Sequence, residues 1–355
     1  MDVNESEILE FVEEGVPGFE STGRVERLEE GLTNRVWRIF GRVRSVVVKH
    51  APPFIASRPD VELDASRLEF ESRVLEAVGP EGRLSELGRP EVRAPELLAS
   101  DLDRSLIAIE DLGETSSLGD WLVSAPSERS VPAAEVGGRV GAYIGRLHAR
   151  TAEVDEWADR HFNRPIQETR RAVQYEPTAE LLREHGVENA GELGRWALEV
   201  GESFCRPGHC LVMGDLWPSS IRLAPPGVRV IDWEFSTYGR SVQDTAHLWA
   251  HLWMLEEIAD DRSVRGVEAF RSSFAEDYCA ETEDVGAGLR AQETLVDGAV
   301  HAACEVLART LGAFSETGPL ARSATSPNQT DRAVAAVVEA LDRPEGTQFV
   351  EVFGE

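Results

Sequence analysis

The hydrophobic pattern changes character about a third of the way along the chain. Residues 7–15 carry Ile8, Leu9, Phe11 and Val12 at helical spacing, and Pro17 and Gly18 end the run. The period then drops to two. Arg24–Leu28, Val36–Phe40 and the β-branched run Ser45-Val-Val-Val-Lys49 read as strands, with turns at 29–34 and 41–44. Helical spacing returns over 66–78 through Leu68, Val74, Leu75 and Val78; Pro95–Ser100 and Ser105–Ile109 add two short strands. After Glu110-Asp-Leu-Gly113 the helical period dominates, at 136–150, 165–186, 189–204, 242–259, 263–281, 286–313 and 330–342, with a loop at 316–328. One β-type interruption lies at 210–235. The pattern predicts an α+β chain with two lobes. A small antiparallel β lobe spans 1–112, a linker lies at about 110–117, and a larger, mostly helical lobe spans 113–355.

Charge narrows the partners. The 355 residues hold 64 acidic and 36 basic side chains, a formal charge of −28. Such a field repels phosphate backbones and anionic lipid, so neither nucleic acid nor a membrane surface is expected as a partner. No apolar run approaches the roughly 18 residues of a bilayer span, and the acidic start MDVNESEILEFVEEG has no signal-peptide character. A cytoplasmic location follows as the expectation, and the acidity fits a salt-adapted surface. The four cysteines, Cys205, Cys210, Cys279 and Cys304, lack a paired zinc spacing and are expected as reduced thiols. Of the 36 basic residues, 35 are arginine and one, Lys49, is lysine. Arginine serves everywhere else, so Lys49 marks a place where a compact ammonium is needed rather than a planar fork.

Three pieces then stand in the order that phosphoryl transfer requires. Gly31-Leu-Thr-Asn34 is a turn whose glycine lets backbone amides approach a phosphate, and Lys49 ends the next-but-one strand. Leu211-Val-Met-Gly-Asp215 and, 17 residues on, Val228-Arg-Val-Ile-Asp232 each deliver an aspartate from an apolar run to a turn. Unpaired buried carboxylates are costly. Two of them one hairpin apart invite a divalent cation or a hydroxyl substrate, and oxygen ligands of this kind suit Mg²⁺. A hydrolase built on the two aspartates would leave Lys49 and the two-lobe pattern unexplained.

These residues resemble the aminoglycoside phosphotransferase and choline kinase-like superfamily over about 23–250. The matching runs are Val46-Val-Val-Lys49, Glu71-Ser-Arg-Val-Leu75, Gly145-Arg-Leu-His148-Ala, Met213-Gly-Asp215-Leu-Trp-Pro-Ser-Ser220, Ile231-Asp232-Trp-Glu-Phe, and Tyr238–Asp244 with its structural aspartate. Val46–Phe54, Arg67–Glu71 and Asp232–Gly239 look most like the 5-methylthioribose kinase branch. The resemblance implies a two-lobed protein-kinase-like fold and ATP- and Mg²⁺-dependent transfer to a hydroxyl of a small molecule. The acceptor would be an amino-sugar, a methylthioribose-like sugar or an amino alcohol.

It also implies roles. Asp215 orients the acceptor hydroxyl. Asp232 and Ser220 stand at the metal positions. Gly31, Asn34, Lys49, Glu71, Glu110 and Leu112 stand on the nucleotide side, with Glu69 the alternative partner of Lys49 and Glu110 acting through its backbone. Met213 replaces the loop histidine. Ser220 stands where the family usually has a metal-binding asparagine. Serine is shorter and coordinates less readily, so a kinase-fold nucleotide-binding or regulatory protein with weak or no transfer is the alternative. His148 is expected as a structural histidine, and Trp249, Trp253, His247 and His251 as core packing. Neither the acceptor nor the oligomeric state is written in the chain.

Overall fold

The computed structural model describes residues 3–28, 31–124, 131–224, 226–285, 292–316, 320 and 326–342. Among them, the N-terminal sheet has five antiparallel strands in the order Ser21–Leu28, Arg35–Gly41, Ser45–His50, Leu106–Glu110 and Leu97–Asp101. The expected meander is present, and the register sets Lys49 opposite Val36 on one side and Ile107 on the other. Side chains alternate across a strand. Val46 and Val48 therefore point to one face, into a core with Ile8, Phe11 and Val12 of the helix Glu5–Gly15. That helix starts on a capping box between Asn4 and Glu7. Lys49 points to the opposite face, where the helix Arg67–Val78 lies with Leu68, Val74 and Leu75 buried.

The C-terminal part is helical, with short β pieces set into it. The helices Ala133–Thr151 and Asp261–Glu281 pack closely because Gly137 and Gly141 are bare: a Cβ on either would stand 2.1 or 2.3 Å from the carbonyl oxygen of Phe270 or Phe274. The hairpin Ile221–Ala224 with Gly227–Val230 is flanked by Ser116–Ser117 and Val92–Arg93, so it is stitched to the segment between the lobes. That segment is fixed from the sheet side as well. Arg38 Nε and Ser45 Oγ donate to Asp111 at 2.8 and 2.5 Å.

Two expectations are corrected. The helix expected over 165–186 is three pieces, Arg164–Arg170, a π turn Arg171–Tyr175, and Thr178–Glu184. Pro177 has no N–H to continue the ladder, and the π turn takes up an extra residue. The loop expected over 316–328 gives way to a helix at Pro327, so Asn328–Thr330 are helical. Part of the expected helix 286–313 lies outside the described residues; Gln292–Thr310 is helical. Helix Leu118–Val123, capped by Ser117, was not expected. Among the described residues no helix is long and apolar enough to cross a membrane, and the four cysteines are free.

Candidate active site

Lys49, Glu71 and Asp232 come from a strand, a helix and a turn, and they meet at one nitrogen. Lys49 Nζ donates to Glu71 Oε1 at 2.7 Å and to Asp232 Oδ1 at 2.6 Å. Glu69 faces outward and pairs with Arg73. Burial works to lower the Lys49 pKa, but the Asp232 and Glu71 carboxylates outweigh it and hold the ammonium above its ordinary value. Burial pushes the Glu71 carboxyl up to about 7 against the pull of Lys49. Asp232 keeps 42% of its side chain exposed. Its backbone takes a left-handed φ of 66°, which aspartate tolerates better than most residues.

Two residues beyond Asp232, Glu234 anchors a second network. Arg67 is fully buried. Its Nε donates to Glu234 Oε2 at 2.8 Å and to Asn34 Oδ1 at 3.2 Å, and its terminal nitrogens reach the carbonyls of Thr33, Pro52, Leu63 and Asp64. Asn34 Nδ2 and Thr33 Oγ1 donate to the same carboxylate at 2.9 and 2.5 Å. The amide of Asn34, expected on the nucleotide, is thus engaged in fastening the Gly31–Asn34 turn to the C-terminal lobe. A Cβ at Gly31 would stand 2.7 Å from Asn34 O, so the turn needs glycine. Glu110 spends its carboxylate on Arg93, at 2.6 and 2.7 Å, and its amide on Glu96 O. Leu112 lies half-buried in the segment between the lobes.

Asp215 lies in the loop after the strand Cys210–Val212. Gly214 turns this loop at φ 82°, and a Cβ there would stand 2.2 Å from Phe235 O. Asp244 accepts the amides of Met213 and Gly214 at 2.8 and 2.7 Å, and His148 lies buried between Asp244 (3.0 Å) and the Tyr278 hydroxyl (2.8 Å). His148 is structural here, and Asp244 holds the loop. Asp215 Oδ1 accepts from Arg170 Nη2 at 2.9 Å, and Arg170 also donates to Gly214 O. His247 Nε2 lies 3.3 Å from the same oxygen. Burial tends to raise the Asp215 carboxyl; His247, Arg170 and Arg309 more than offset it, so it stays below the ordinary carboxylate range.

Ser220 is fully buried, and its hydroxyl is committed to the turn beneath the cleft. It donates to Trp217 O at 2.8 Å and accepts from Trp217 N at 3.2 Å. Nothing in the pattern marks Arg67, Glu234, Arg170 or Glu305 as site residues, and His301 and Arg309 stand out only as candidate substrate contacts on a late helix. For His247 and His251 the signal was their spacing of four on one helix. They are buried as expected, yet His247 is buried against Asp215.

A two-lobed phosphotransferase is the class that this fold and cleft define. The chain belongs to the phosphotransferase enzyme family, whose model matches residues 24–291. It is 25% identical to the 4-hydroxytryptamine kinase of Psilocybe cyanescens over 290 residues, 75% of this chain and 79% of that one. It is 32% identical to the methylthioribose kinase of Bacillus cereus (strain AH820) over 117 residues, 29% of this chain and 30% of that one. Among solved structures, the choline kinase of Cryptosporidium parvum Iowa II superposes with a TM-score of 0.55 at 14% identity, covering 96% of this chain and 97% of that one. The likeness confirms the two-lobed, kinase-like fold.

Proposed function

We propose that this protein transfers the γ-phosphoryl group of ATP to a hydroxyl of a small molecule. The observation that carries the reading is the convergence of the only lysine with Glu71 and Asp232, next to the Asp215 loop, whose Gly214 packs against Phe235 of the turn after Asp232. The relatives' names point to aromatic amine, sugar and amino-alcohol acceptors.

The groups divide the work. Lys49, fixed by Glu71, presents one cation to the α- and β-phosphates. The Gly31–Asn34 turn covers them with its backbone and is held in place by Glu234 through Thr33 and Asn34. Backbone groups of the segment at 110–112 face the adenine edge. The half-exposed carboxylate of Asp232 fits a Mg²⁺ site, since this ion takes oxygen ligands and completes its shell from water and substrate phosphates. Bound there, Mg²⁺ would neutralise charge on the transferring phosphoryl group. Asp232 is its protein ligand in this reading, because the Ser220 hydroxyl is spent within its own turn. Asp215 accepts the hydrogen bond of the acceptor hydroxyl, aims its oxygen in line, and takes the proton late in a loose transition state.

The test is a transfer assay with ATP and Mg²⁺ or Mn²⁺ over amino-sugars, methylthioribose, 4-hydroxytryptamine, choline and fructosamines. A phosphorylated acceptor, lost in Asp215→Ala with nucleotide affinity kept, is the expected result. No turnover with any acceptor would favour the nucleotide-binding protein that the Ser220 departure suggests.

A further inference from the structure

Beneath Asp215 lies a buried group of rings whose bonds are incomplete. His247, His251 and His301 are at most 1% exposed, and their ring centroids are 5.1 and 5.5 Å apart, with His247 in the middle. Both nitrogens of His247, Nδ1 of His251 and Nε2 of His301 are buried without a closed hydrogen bond. Buried polar atoms are normally satisfied, so such a gathering calls for a physical reason.

A metal ion is one candidate, since His247, His251 and Glu305 bring ligand atoms within 4.8 Å of one another. Two facts weigh against it. Arg309 Nε already donates to Glu305 Oε1 at 2.7 Å, so a dication would sit beside an arginine on the same oxygen. The outer nitrogens of His247 and His251 also lack the acceptor that normally orients a metal-bound imidazole.

The contacts of His247 Nε2 point elsewhere. It stands 3.3 Å from Asp215 Oδ1 and 3.6 Å from Glu305 Oε1. Both neighbours are carboxylate oxygens, which only accept, so this nitrogen carries a proton. Glu305 Oε1 is already supplied by His251 Nε2 at 2.9 Å and by Arg309, which leaves Asp215 as the nearer and emptier acceptor. Arg170 donates to that same Oδ1. Two donors gathered on Oδ1 pin the carboxylate and leave Oδ2 out of these contacts. Contacts of this length are common before substrate binds and shorten in the reacting complex.

We infer that His247 is a positioning residue for Asp215: its Nε2–H, backed by Glu305 and acting with Arg170 on Oδ1, fixes the oxygen that receives the acceptor's proton. This rests on the phosphotransfer reading above. The groups facing His247 are Asp215 from the loop, His301 and Glu305 from the helix Gln292–Thr310, and His251 on its own helix. Arg170 and Arg309 lie one contact further out, on Asp215 and Glu305.

The experiment compares His247→Ala, His247→Met and His247→Gln with the wild type. Mg²⁺-ATP is the donor, and the acceptor is whichever of methylthioribose, 4-hydroxytryptamine and choline is phosphorylated, or water in ATP hydrolysis where none is. His247→Ala and His247→Met should lower kcat about tenfold or more while KM for ATP and acceptor moves by less than about threefold. His247→Gln, which keeps an N–H at the Nε2 position, should recover most of the rate. Wild-type kcat in the Met variant, a loss confined to KM, or a Gln variant no better than Met would overturn the inference. If Ala fails to fold, the Met and Gln pair carries the same comparison. Asp215→Ala separates the two readings: a rate unchanged there removes the phosphotransfer assignment itself. A rate abolished there, with normal His247 variants, removes only the role of His247.

Discussion

The Lys49 and Asp215 sides of the site are differently wired. On the Lys49 side, Lys49 meets Glu71 and Asp232 while Arg67 meets Glu234, all within 2.8 Å. Every carboxylate there is paired with a cation, Glu71 and Asp232 sharing Lys49 and Glu234 holding Arg67. On the Asp215 side, Arg170 and Arg309 provide the fixed charges, and the buried rings of His247, His251 and His301 gather beside them. Burial depresses the pKa of His251 to about 4, and that of His301 well below its ordinary value. The first wall is built from direct ion pairs, with Glu71 Oε2 its one buried oxygen without a hydrogen bond among the groups named, and suits a ligand of constant charge. The second leaves hydrogen bonds open, which suits a step in which a hydroxyl gives up its proton.

The sharpest way to break this contrast is to remove one anchor from each wall. Asp215→Asn should lose about 10²–10⁴ in kcat, the range for a general base, with nucleotide affinity unchanged in a fluorescence titration. An equal loss of nucleotide affinity would show that the walls are not separable. Arg67→Met should instead cost about 3–5 kcal/mol of stability, because it strands the buried Glu234 carboxylate and several carbonyls. Urea unfolding measures it. A double variant Arg67→Met with Glu234→Leu should regain much of that loss, and no recovery would argue that the carbonyl contacts dominate.

The walls also differ in how far they were legible. Lys49 and Asp232 could be read because each ends an apolar strand-like run, and strand alternation fixes which way Lys49 points once Val46 and Val48 are assigned to the core. Glu71 follows from helical spacing, since Leu68 and Leu75 mark the inward face that it shares. Arg67 and Glu234 were hidden, because a buried arginine at the start of a polar-looking helix carries the same letters as a solvated one. The Asp215 wall was harder. Arg170 sits just before a π turn that periodicity averages away, and His247 and Glu305 lie on different helices 58 positions apart in the chain. Nothing local distinguishes a histidine facing the core from one facing a carboxylate. Ser220 was legible as a departure, but its commitment to the Trp217 turn was not.

Lys49→Arg tests whether the frame on the first wall is as rigid as it looks. The ammonium is 4% exposed and touches two carboxylates at 2.7 and 2.6 Å. A guanidinium is wider and planar, and it has to displace Glu71 or Asp232 to enter. kcat/KM for ATP should fall at least about tenfold, or about 1.4 kcal/mol, although stability changes little. Wild-type kinetics would mean that the charge alone matters, and the special status of the single lysine would lapse.

The most gradual effect expected is also the one that compares the walls by titration. His161 packs against Phe70 of the helix that carries Glu71, with ring centroids 5.2 Å apart, and its Nε2 meets Ser236 Oγ at 2.9 Å. Burial, helped by Arg73 and Arg83, depresses its pKa to about 3. His251, on the other wall, is depressed by burial to about 4, with Glu305 pulling it back up. In both cases the folded value lies below the unfolded value of about 6.5, so the unfolded chain binds the proton first. Each ring therefore contributes stability that is complete above about pH 6.5 and is lost as the pH falls. The His251 share is exhausted near pH 4, whereas the His161 share keeps falling toward pH 3. By pH 5 the loss from each amounts to about 2 kcal/mol. Urea unfolding of the wild type, His161→Gln and His251→Gln at several pH values between 8 and 4 reads both. Each variant should flatten the fall in stability by nearly one proton between about pH 6 and 5, relative to wild type. A His161 variant with the wild-type slope would show that this ring already carries its proton in the folded protein, most simply because water reaches it between the lobes.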